Sequence, residues 1–109
     1  MTERELTRAV LELATRLGYR TAHFRTSLTK RGTYMTAVQG DGAGFPDLVL
    51  LRPAGQNTRA RLVFAELKKD GRYPSRAQRD WLDALTGCGV EAHVWRERDY
   101  PDVIAGVLA

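Results

Sequence analysis

Two short runs rich in Val, Leu and Phe, Asp47 to Leu51 and Arg61 to Leu67, flank the polar, turn-forming stretch Pro53-Ala54-Gly55-Gln56-Asn57. Runs of that length and composition around such a turn predict two strands paired as a hairpin. Helical periodicity brackets them. Leu6, Val10, Leu13 and Leu17 recur at helical spacing from about residue 3 to Gly18, and Ser75 opens a second helix through Trp81, Leu82 and Leu85 to the Gly87-Cys88-Gly89 break. Tyr19 to Phe24 and Val90 to Trp95 read as further strands, and Pro101 to Leu108 as a short terminal helix. The order helix, strand, strand, strand, helix, strand, helix predicts an α/β or α+β domain with a small central mixed β-sheet flanked by helices. A chain of 109 residues has room for one such core, so residues 1–109 are expected to form a single domain.

Composition narrows the chemistry. The lone Cys88, with only His23 and His93 to help it, makes both a zinc site and a Cys-His nucleophile poor prospects. No stretch approaches the roughly 18 to 20 apolar residues of a membrane span, and the start Met1-Thr2-Glu3-Arg4-Glu5 is charged rather than shaped like a signal peptide, so a cytoplasmic protein with no membrane contact is expected. The formal charge is +4, and Tyr19 to Gly40 contains Arg20, Arg25, Lys30 and Arg31 with no acid, leaving the rest of the chain neutral. Such a stretch suits a polyanion or a solvated loop. Thr26 to Phe45, rich in Thr, Ser and Gly, is expected to be a long substrate-facing loop.

Charged residues interrupt the apolar strands at one end. Glu66 and Lys68 are two apart, so in a strand they share a face, roughly 7 Å apart at Cα, with Leu62 and Phe64. A carboxylate and an ammonium ending an apolar row are costly to bury unless they serve each other or bind something. Pro46 holds Asp47 extended at the start of the preceding strand, and a hairpin brings its carboxylate beside Glu66. Two converging carboxylates repel, and a hard divalent cation, Mg²⁺ or Mn²⁺, relieves that while keeping waters and accepting phosphate oxygens. Lys68 then faces the same ion and its water, an arrangement suited to phosphodiester hydrolysis. The same residues taken singly also fit a turn start at Asp47 and an exposed cross-strand charge pair at Glu66 and Lys68.

Gly44-Phe45-Pro46-Asp47-Leu48-Val49-Leu50, then Phe64-Ala65-Glu66-Leu67-Lys68, then Gln78-Arg79-Asp80-Trp81-Leu82 resemble the PD-(D/E)xK nuclease superfamily, and more closely stand-alone VRR-NUC (virus-type replication-repair nuclease) domains of phages and prophages. The likeness runs from the helix at Glu3 through the strand ending at Trp95. It implies a restriction-endonuclease-like core akin to Holliday-junction resolvases and a divalent-metal-dependent DNA nuclease acting on branched substrates. It also implies Asp47 and Glu66 as metal ligands completed by the Leu67 carbonyl, Lys68 assisting the water, and a homodimer, because cutting two strands needs two sites. The competing reading is a nuclease-fold DNA-binding module that is inactive alone or needs a partner.

The resemblance also implies an acid from the first helix, and the choice lies between Glu3 and Glu5. With the Leu6, Val10, Leu13, Leu17 stripe turned inward, Glu3 lies roughly 50° from its centre and Glu5 roughly 110° away, which favours Glu3 as a fourth metal ligand; a first-turn acid complementing the helix dipole is the other reading. Gln78 falls on the buried stripe with Trp81, Leu82 and Leu85, so it points toward the sheet, where the resemblance gives it a supporting catalytic role. Ser75-Arg76-Ala77-Gln78 equally fits a helix capping box. Arg25, Lys30, Arg31, Lys69 and Tyr73 are the candidate nucleic-acid contacts, while Trp81, Trp95 and His93 are expected to be structural.

Overall fold

The computed structural model describes residues 1–24, 26–28, 32, 34–36 and 38–109, with backbone placement only for 26–28 and 34–36. Helix α1 (Glu3–Arg16) opens with a capping box in which the Glu5 backbone N–H donates to Thr2 Oγ1 and the Thr2 N–H donates to Glu5 Oε1. Its apolar stripe, Leu6, Val10 and Ala14, is buried. Strands β1 (Arg20–His23), β4 (Leu48–Arg52), β5 (Arg61–Leu67) and β6 (Glu91–Trp95) form one sheet in the order β1-β4-β5-β6. β4 and β5 are the expected hairpin, antiparallel with Leu50 opposite Val63, and β1 adds antiparallel to β4. Helix α2 (Arg76–Gly87) is the crossover that returns the chain parallel to β5 as β6, so the sheet is mixed.

Period-two alternation divides the sheet between two layers. Leu48, Leu50, Val63, Ala65 and Leu67 turn to one face and meet the stripe of α1 together with Ile104 and Leu108 of α3 (Asp102–Leu108). On the other face Phe45, from the loop before β4, packs edge-to-face against Phe24 at 5.2 Å, Phe64 at 6.0 Å and Trp81 of α2 at 5.1 Å between ring centroids. Trp95 is fully buried with His93 stacked on it, and Arg61 of β5 grips Glu91 of β6 through two hydrogen bonds of 2.7 and 2.8 Å.

The expected single loop over Thr26 to Phe45 is corrected. It contains a two-stranded antiparallel ribbon, β2 (Thr26–Leu28) and β3 (Tyr34–Thr36), separate from the main sheet. Thr26 and Thr36, with Tyr34, are good strand formers, but each run is only three residues long, too short to register as a periodic apolar signal. A 3₁₀ turn, Glu97–Asp99, before α3 is likewise an addition, and β4 begins at Leu48, one residue later than expected. Arg25, Lys30 and Arg31, assigned to nucleic-acid contact on sequence, lie outside the described residues.

Candidate active site

Register makes the site. With Leu48 opposite Ala65, the next step along the β4/β5 ladder sets Asp47 directly across from Glu66. Asp47 is held from two sides: its backbone carbonyl accepts from Phe24 N–H at 2.8 Å, prolonging the β1/β4 ladder, and its Oδ2 accepts from Leu67 N–H at 3.0 Å. The carboxylate is thus anchored to the backbone of the residue that separates Glu66 from Lys68.

Gly44 explains how the Asp47 loop sits so near α2. Its φ of +83° is in the region glycine tolerates, and a Cβ there would strike the Ala77 carbonyl carbon and come within 2.7 Å of Gln78 N. Only a residue without a side chain lets that loop lie on the first turn of α2, where Phe45 then keys it to Trp81.

Glu66 is 2% exposed, the one charged residue buried among the described residues. Its Oε1 accepts from Gln78 Nε2 at 2.8 Å, while Oε2 is buried with no hydrogen-bond partner. Burial first, and then the negative charge of Asp47, pushes its carboxyl up to about 8, with Lys68 opposing the shift. A carboxylate kept in so dry a place with one oxygen unsatisfied is costly on its own. The donor set is two hard carboxylates meeting face to face, and that orphaned oxygen fits a divalent cation.

The two readings of Gln78 turn out to be simultaneous. Gln78 N–H donates to Ser75 Oγ at 3.2 Å and Gln78 Oε1 accepts from Ser75 N–H at 2.7 Å, closing the capping box, while the remaining amide Nε2 reaches Glu66. The cap fixes the side chain and leaves its N–H₂ aimed at the carboxylate.

Lys68 follows directly on β5, half-buried, its N–H donating to the Trp95 carbonyl at 3.0 Å. It lines a small cavity of about 230 Å³ with Glu3, Leu6 and Lys69. Glu3 also borders a larger cleft of about 760 Å³ that reaches Asp47, and so stands between the two. Glu5 is engaged in the α1 cap and is fully exposed, its carboxyl lowered by the Thr2 hydrogen bonds. Among the described residues no three His, Cys, Asp or Glu side chains cluster closely enough to hold a metal, so Glu3 lines the approach without joining Asp47 and Glu66 in one ligand group. Lys69 is exposed beside the smaller cavity, and Tyr73, 79% exposed, lies under the Arg96 guanidinium at 5.6 Å from the ring centroid. Arg96 also donates to the Arg72 carbonyl at 2.8 Å, tying the loop between Lys68 and Gln78 to the end of β6. Sequence reasoning gave neither Gly44 nor Arg96 a part here; the signal for Gly44 was its place directly before Phe45-Pro46-Asp47.

The mixed sheet flanked by helices sets Asp47 and Glu66 across the β4/β5 ladder, with Lys68 two residues beyond Glu66. The VRR-NUC domain family matches residues 20–99, and the chain belongs to that nuclease family. A solved structure described as a VRR_NUC domain protein is similar over 98% of this chain and 85% of its own, at 25% identity and a TM-score of 0.62. No protein in the curated set matches. No helix among the described residues is long and apolar enough to cross a membrane.

Proposed function

We propose that the protein is a divalent-metal-dependent deoxyribonuclease that hydrolyses phosphodiester bonds with structure selectivity, on branched or junction DNA. The observation that carries this is Glu66 Oε2, buried and unpartnered directly across the ladder from Asp47 and two residues from Lys68.

Asp47, Glu66 and the Leu67 carbonyl are the residues that would hold Mg²⁺ or Mn²⁺, with Glu3 at the edge of the approach. When bound, the cation supplies a water of lowered pKa and offsets charge on the phosphate. The chain's own contribution is positional. Leu67 N–H fixes one Asp47 oxygen, and Gln78 Nε2 fixes one Glu66 oxygen and leaves Oε2 available. The Lys68 ammonium orients the attacking water or stabilises the non-bridging oxygens. Water oxygen bonds to phosphorus, the bond to the 3′ oxygen breaks, and that oxygen leaves with a proton. One protomer carries one such centre, so cutting both strands of a junction calls for a homodimer in the cytoplasm, measurable by light scattering.

The test is cleavage of matched linear duplex, single-stranded, flap and four-way-junction substrates with Mg²⁺, Mn²⁺ or chelator. Metal-dependent nicking that is lost in Asp47→Ala, Glu66→Ala and Lys68→Ala, with folding and DNA binding retained, is expected. Cutting by Glu66→Ala at the wild-type rate would overturn the proposal, and binding without nicking in every metal would select the inactive binding module instead.

A further inference from the structure

The cleft of about 760 Å³ beside Asp47 has walls unlike those of the metal-facing pair. Arg4 and Arg8, four apart on α1, form one side, and His23 and Phe24, at the end of β1, form the other. Residues at that spacing project side by side from a helix. Both arginines are exposed, and neither makes an ion pair among the described residues. Arg8 has two natural partners and takes neither: Glu5 is committed to the Thr2 cap, and Glu12, one turn on, forms no ion pair with it. Opposite them Phe24 is half-buried, its ring supported edge-to-face by Phe45. The chain then runs directly from Phe24 into the acid-free segment up to Gly40.

Unpaired cations along one wall and a braced aromatic on the other are the components of a single-strand track, with phosphates on the cations and bases against the ring. The volume lies in the about 300–1,000 Å³ range of small-ligand clefts, room for a nucleotide or so of one strand. Glu3 and Glu12 stand at either end of the arginine pair along α1, confining favourable phosphate contact to the middle of the groove. The geometry points to the α1/β1 cleft as a binding subsite for an unpaired strand leading to Asp47, with Arg4 and Arg8 holding its phosphates and Phe24 stacking a base. The inference rests on the nuclease reading for its purpose and deepens it by naming the substrate feature recognised.

Binding is measured in chelator, where no cleavage occurs, by fluorescence anisotropy of a labelled single-stranded oligonucleotide between about 50 and 200 mM salt. Arg4→Ala/Arg8→Ala is expected to bind at least tenfold more weakly and to flatten the slope of log K against log salt by about 1.4, two contacts at about 0.7 each. Arg4→Lys/Arg8→Lys should restore most of the slope, since charge alone is read. Phe24→Leu, which keeps apolar bulk against Phe45, should lose about fivefold, at the weak end of the stacking range. Unchanged affinity and slope in the alanine pair would overturn the assignment, as would equal losses on single-stranded and blunt duplex DNA. A wild-type protein that never nicks DNA with metal would refute the nuclease reading and leave these binding results standing.

Discussion

Replacing Glu66 with glutamine is expected to stabilise the metal-free protein at alkaline pH while destroying its activity. The unfolded carboxyl titrates near 4.5, whereas burial and Asp47 raise the folded one to about 8. Between those values the native state binds more protons than the unfolded state, so the stability due to this group falls as pH rises and levels off above about 8. The gap between 4.5 and about 8 corresponds to about 5 kcal/mol. Water drawn in on ionisation and sharing of charge with Asp47 reduce that, and at least about 2 kcal/mol should survive, or about 8–16 °C in Tm for a domain of this size. Glutamine is nearly isosteric, its Oε1 keeps the Gln78 hydrogen bond, and it never ionises. Thermal melts of both proteins in chelator from pH 5 to 9 should therefore show a Tm difference near its minimum at pH 5 that grows in favour of Glu66→Gln up to about pH 8 and then levels off. A difference independent of pH would refute the reasoning, because every other titrating group is common to both proteins.

Gly44→Ala should destabilise by about 2 kcal/mol or more, since it combines an unfavourable φ with a backbone clash on α2, and it should lower cleavage by displacing Asp47; urea unfolding and a nicking assay check both. Gln78→Ala removes the side-chain arm of the capping box and the Glu66 hydrogen bond together while keeping the backbone bond to Ser75 Oγ, so a loss of about 1–2 kcal/mol in chemical denaturation is expected with reduced turnover. Lys68→Ala removes the cation that opposes Glu66's proton uptake, so the pH midpoint of the stability change should move upward while cleavage disappears. Phe45→Ala opens the centre of the aromatic cluster and should cost about 3–5 kcal/mol in the same unfolding assay.

Much of this was legible in the sequence because local patterns and tertiary contacts agree. The Leu6, Val10, Leu13, Leu17 stripe of α1, whose first two members are buried and last two half-buried, and the alternation in β5 state which side is inward, and the Pro53 to Asn57 turn fixes the partners of the hairpin. Once β4 and β5 pair, Asp47 and Glu66 face each other as a matter of register. The two meanings of Ser75 to Gln78 could not be separated on sequence, and the reason is physical: one amide has both an oxygen and a nitrogen, and the fold uses each for a different bond. Illegible features depend on approach between distant segments. Gly44 against Ala77 and Arg96 over Tyr73 are contacts that no periodicity announces, and β2 and β3 are too short to carry one.

The central claim is that Asp47 and Glu66 act together as one cation-binding pair. Calorimetric titration of Mn²⁺ into wild-type and Asp47→Asn protein at pH 7.5, in two buffers of different ionisation enthalpy, tests it directly. With Glu66 titrating near 8, wild-type protein should bind Mn²⁺ with release of a substantial fraction of a proton, and Asp47→Asn should show no saturable heat at the same concentrations. Equal binding by the two proteins, or binding by wild type without proton release, would contradict the account.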